Sequence, residues 1–96
     1  MEQNYHIKAK ITNISDKALL SGYRPAHDIN GYMTTGVHKY TGCDKLGAGK
    51  SAIGYITFIM PELYLDSIKT GDIIDFYDGS KKTGFAFVIE VYNEQY

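Results

Sequence analysis

Several groups of residues in this 96-residue chain have types and spacings suited to chemistry. Gly47-Ala48-Gly49-Lys50-Ser51 has the form of the closing half of a phosphate-binding loop, in which backbone amides cradle phosphates and the lysine reaches the outer ones. The full motif needs a glycine five positions before Gly49, where this chain has Asp44. It also needs a following helix whose N-terminal amides hold the phosphates, and the residues after Ser51 are patterned as a strand. The expectation is therefore a glycine loop with a solvated lysine and no bound nucleotide. Calorimetry with ATP or GTP should show no heat.

His6, His27, His38 and Cys43 are scattered without the paired spacing of a zinc site, so no metal is expected. Cys43 with His38 is a conceivable nucleophile and base, which leaves an enzyme using those two residues as one alternative. Asp72, Asp75 and Asp78 fall in a turn–strand–turn segment, where solvated acids are ordinary. The nine tyrosines suit a pleated, half-buried surface; an exposed row of them would instead stack bases or fill a partner's surface.

The elements that must position these residues are strands. Tyr5, Ile7, Ala9 and Ile11 alternate with His6, Lys8 and Lys10, the period of a half-buried strand. Asn13 to Asp16 and then Ser21-Gly22 with Pro25 mark a turn and a loop. Residues 27–40 read as one extended stretch that Gly31 and Gly36 could bend, and 41–50 as a polar, glycine-rich loop. Ser51 to Met60 is the most apolar strand, ended by Pro61. Glu62 to Ile68 is one helical turn or a loop, and Thr70-Gly71-Asp72 a turn before a strand at Ile73–Tyr77. Asp78-Gly79-Ser80 signals a hairpin. The last strand, from about Lys82 to Tyr92, places Phe85, Phe87, Ile89 and Val91 on one face. Ile56, Phe58, Phe87 and Ile89 are expected in the core, with Phe87→Ala costing about 3–5 kcal/mol.

About six short strands separated by regular turns predict an all-β barrel or sandwich, and residues 1–96 are expected to form one domain. The formal net charge is −1, which argues against a dedicated nucleic-acid binder. The charge is uneven: residues 1–50 hold seven cationic against four acidic side chains, and residues 51–96 three against seven. Cys43 is alone, so an intrachain disulfide is impossible and a cytoplasmic setting is favoured. No apolar run approaches bilayer length and residues 1–20 lack a signal core, so a soluble, unprocessed chain is expected.

Gly22-Tyr23-Arg24-Pro25, running on to Thr35-Gly36, is the most specific pattern in the chain. It resembles the C-terminal barrel domain of elongation factor Tu and its archaeal and eukaryotic counterparts, where a Gly-Tyr-Arg-Pro element opens a strand ending at Thr-Gly. Collinear similarities follow at Gly54–Pro61, at Gly71 with Ile74–Phe76, and at Asp78-Gly79-Ser80-Lys81-Lys82-Thr83-Gly84, which is similar to the family's Glu-Gly-Gly-Arg-Thr-Val-Gly hairpin. The resemblance covers roughly residues 5–92. The family's GTP-binding domain and middle barrel have no counterpart, its Arg-His-Thr-Pro-Phe-Phe stretch gives way to Lys17–Ser21, and residues 41–50 keep no family signature.

The resemblance implies a six-stranded antiparallel closed barrel acting as a stand-alone, non-catalytic binding module without cofactor. The implied partner-binding residues are Tyr23, Arg24, Gly79, Ser80, Lys81, Lys82 and Gly84. A protein partner is expected, in translation or in an immunity or regulatory role of a bacterial toxin system. A tRNA or RNA ligand on the 79–84 hairpin, helped by Lys8 and Lys10, is the alternative. Lys81 in place of the family's arginine keeps the charge and loses the planar fork. Asp75 and Asp78 would weaken attraction to phosphate, so tight tRNA binding by the isolated chain is not expected. Tyr23 should pack against the barrel where a strand begins, with Arg24 at the surface.

Overall fold

A computed structural model describes residues 5–59 and 65–92. The expected end of a strand at Pro61 lies outside them. The chain order is β1 (Ile7–Asn13), β2 (Leu19–Leu20), β3 (Ala26–Ile29), β4 (Tyr32–Tyr40), β5 (Lys45–Leu46), β6 (Ser51–Phe58), a 3-10 turn at Leu65–Ser67, β7 (Ile73–Asp78) and β8 (Lys81–Val91). Six of these close an antiparallel barrel in the order β1-β6-β4-β3-β7-β8, with β8 returning to β1. The two short strands β2 and β5 pair separately, Leu19 opposite Leu46, and bury both leucines against the barrel core. Closure leaves the six barrel strands without a free edge.

The alternation in β1 has the consequence its period requires. Ile7, Ala9, Ile11 and Asn13 are all fully buried while Lys10 faces solvent. In β6, Gly54, Ile56 and Phe58 point inward. The stretch 27–40 is not one bent strand. Asn30 and Gly31, with φ of 54° and 91°, turn the chain back between β3 and β4. Two consecutive positive-φ residues match the right-handed twist of paired strands, and the Asp28 carboxylate accepts the Gly31 N–H at 2.9 Å. Gly79, with φ of 65°, makes the expected hairpin between β7 and β8.

The last strand corrects the expected core. Phe85, Phe87 and Ile89 do share a face, but it is the outer one: Phe87 is 44% exposed, and the inward side carries Gly84, Ala86 and Val88. The reason is volume. Phe76 from β7 projects across the interior opposite Gly84, and a Cβ on Gly84 would meet the Phe76 ring and the Thr12 carbonyl oxygen. With Phe58, Phe76 and two imidazoles inside, β8 has room only for small residues.

Candidate functional site

All three histidines are buried, so the side chains best suited to acid–base chemistry lie inside the barrel. His6, ahead of β1, accepts the Phe58 N–H through Nδ1 at 2.9 Å. His27 on β3 and His38 on β4 meet through their Nε2 atoms at 2.8 Å, and His38 Nδ1 lies 3.2 Å from the Tyr40 hydroxyl. Gly36 makes this possible, because a Cβ there would sit 2.9 Å from His27 Cε1 and 2.9 Å from Ile56 Cγ2. Burial lowers the His27 pKa to about 4, with the backbone of Thr34 and Pro25 pulling it partly back. Burial, and then the neighbouring His27, holds His38 well below the usual imidazole value. Burial raises the Tyr40 hydroxyl above its ordinary range. Cys43 is exposed, whereas His38 has no accessible surface.

The glycine loop has the outcome its flanks imply. Ser51 opens a strand, not a helix. The Gly49 N–H donates to the Asn13 carbonyl at 2.9 Å and the Lys50 N–H to the Gly47 carbonyl at 3.0 Å. Both amides are consumed by the fold. Asn13 ties this loop to the 15–17 segment, its Nδ2 donating to the carbonyls of Lys17 and Leu46 and its Oδ1 accepting from the Ser15 N–H.

The residues that the sequence marks as partner-facing fall into separate places. Tyr23 stands two residues before Pro25, just ahead of β3, with its ring edge-on to His38 and Phe76 at 5.7 and 6.2 Å. Its hydroxyl is 3.0 Å from Thr83 Oγ1. Arg24 is exposed. Tyr23 and Lys81 line one cleft of about 420 Å³, together with Asp78, Thr83 and the 15–20 segment. Gly79 and Ser80 form the exposed hairpin tip. Lys82 points elsewhere, paired with Asp75 at 3.0 Å and lying 5.8 Å from the Phe85 ring centroid. Gly84 is buried in the barrel wall and offers a partner no surface.

Two features of the cleft escape the sequence reading. Lys17 joins its lining, and so does Leu20, 61% exposed. The turn residues Asn13 to Asp16 place a loop here; the Ile14 N–H bond to the Thr83 carbonyl brings it up to β8, and the Asn13 side chain ties it to the carbonyls of Lys17, Leu46 and Gly47. Among the described residues no cluster of three His, Cys, Asp or Glu side chains is placed to hold a metal, and no helix is long and apolar enough to cross a membrane. Compared with known proteins, the chain matches no protein-family profile and no curated protein sequence.

Proposed function

We propose that this chain is a non-catalytic binding module, similar to the C-terminal barrel of elongation factor Tu, that docks a protein partner on the barrel end around Tyr23 and Lys81. One observation carries the reading: the cleft combines an exposed apolar anchor, Leu20, with a rim of both charge signs, Lys17, Lys81, Asp16 and Asp78. Apolar anchors inside a polar rim are the anatomy of a protein interface. The His27 and His38 imidazoles, by contrast, are enclosed and their pKa values lowered, which suits packing better than turnover. A cytoplasmic role in translation, or as an immunity or regulatory protein, belongs to the same proposal. It rests on the collinear likeness from Gly22 to Gly84.

The test is co-purification from the native host, followed by titration of the identified partner. Leu20→Asp and Lys81→Ala should each weaken the complex, Leu20→Asp by about 2 kcal/mol, or roughly 30-fold, as for an interface anchor. Equal affinity of wild type and Leu20→Asp would overturn the cleft as the docking surface. An RNA reading keeps one favourable observation, that Lys81 is exposed on the hairpin. Lys82 is already engaged by Asp75. Filter binding at physiological salt should therefore show no sub-micromolar tRNA complex. Such a complex, abolished by Lys81→Ala with Lys82→Ala, would put RNA first.

A further inference from the structure

The imidazole pair has a proton count that its surroundings constrain. An Nε2···Nε2 contact of 2.8 Å carries one hydrogen, since one nitrogen must donate and the other accept. The chain of contacts continues from His38 Nδ1 to Tyr40 and ends at His27 Nδ1, which makes no hydrogen bond. Phe58 from β6 and Phe76 from β7 pack on the pair, and Tyr23 presents its ring edge to His38. The titratable neighbours are Tyr23 and Tyr40, with His6 beyond Phe58 and the Cys43 thiol acting on Tyr40. Lys39 and Asp44 line the cleft outside His38. No ring packed on the pair belongs to an acid that would compensate an imidazolium. The first added proton therefore puts a charge in the core that the backbone of Thr34 and Pro25 offsets only in part. The next leaves two N–H groups facing each other at hydrogen-bonding distance.

The same pair stands at the shortest ladder of the barrel. β3 pairs with β7 through only two register positions, Ala26 opposite Tyr77 and His27 opposite Phe76, whereas β7 pairs with β8 along its whole length. We propose that the His27–His38 pair, packed from β3 and β4 against the Phe76 ring of β7, is an acid-sensitive latch on the β3–β7 seam, closed while the pair is neutral and opened when it takes up protons. Opening bares the edges of β3 and β7, which are then free to pair elsewhere.

The direction follows from the folded-state values. Unfolded histidines take up protons near pH 6.5, and His27 in the closed barrel does so only at about 4. The latch contribution is complete above pH 6.5 and is lost as pH falls from there toward 4. With both histidines protonating on opening, the slope of the opening constant approaches about 100-fold per pH unit in the middle of that window and is shallower at either end. Urea titrations of the full chain between pH 7.5 and 4.5 should show this slope. Hydrogen exchange at pH 5 should show the amides of residues 26–27 and 76–77 losing protection before those of the β1–β6 ladder. His27→Leu with His38→Leu should make the slope markedly shallower, because removing both partners takes the pair's two protons out of the opening step. Should that variant fail to fold, NMR titration of the wild-type imidazoles decides the question. Those of His27 and His38 should stay neutral in the closed barrel down to the opening transition. Stability constant from pH 6.5 to 4.5, imidazoles that titrate near 6.5 in the intact barrel, a double variant that keeps the slope, or seam amides as protected as β1–β6 at pH 5 would each overturn the latch.

Discussion

Replacing Phe76 by alanine should destabilise the barrel by about 3–5 kcal/mol, the range for deleting a fully buried aromatic. Phe76 has no exposed surface. Its ring packs edge-on against His38 at 4.7 Å, lies 5.8 Å from His27 and 6.2 Å from Tyr23, and stands opposite Gly84 across the β7–β8 ladder. The alanine leaves a cavity that these neighbours cannot fill by small shifts, since His38 and Tyr23 are themselves tied to Tyr40 and Thr83. A domain of this size has only about 5–15 kcal/mol of stability in total, so the variant should melt far below the wild type or populate the unfolded state measurably. The comparison that makes this decisive is Phe87→Ala. Phe87 is 44% exposed on the outer face of β8, and its truncation should cost only about 1 kcal/mol. Equal midpoints for the two variants in urea denaturation would mean that β8 does not face as described.

Gly84→Ala, a single methyl, should also be severe. The added Cβ runs into the Thr12 carbonyl oxygen and the Phe76 ring, with Phe76 Cε1 at 2.7 Å. Thr12 belongs to β1, whose ladder with β8 includes Asn13 opposite Gly84 and Thr12 opposite Phe85. Retreat of that carbonyl would break the seam that closes the barrel. Overpacking usually costs about 1–3 kcal/mol, and a clash with paired backbone belongs at the upper end. At about 3 kcal/mol the melting temperature should fall by roughly 12 °C or more. Gly79→Ala is the informative contrast. Its φ of 65° strains any side chain, yet nothing lies within 4 Å of the new Cβ, so about 1–2 kcal/mol is expected. A Gly84→Ala barrel as stable as the wild type would show that β8 can slide outward from β1, and with it that the Phe76–Gly84 packing is loose. The two variants also separate structure from binding, because Gly79 lies at the exposed tip and Gly84 inside the wall.

What the chain specifies locally is legible without tertiary structure. The period of two in residues 5–11 sets the buried face of β1, because one face of that segment is almost entirely apolar. The strand after Ser51 follows from its Ile and aromatic content, and the β7–β8 hairpin from Gly79 at a position that needs positive φ. The Asn30-Gly31 turn is carried by the same local chemistry, since Asn-Gly between extended runs is the strongest short hairpin signal. Period alone also groups Phe85, Phe87 and Ile89. Which face turns inward is a different matter, decided by how much volume the rest of the barrel has already placed there, and Phe76 leaves room only for Gly84, Ala86 and Val88. The cleft around Tyr23 depends likewise on Asn13 reaching carbonyls up to 34 residues away. The histidines show the division most plainly. Sequence spacing leaves His27 and His38 as unrelated residues, whereas strand pairing across the Asn30-Gly31 turn, with Gly36 yielding its side-chain volume, brings their Nε2 atoms to 2.8 Å in a core without a compensating charge.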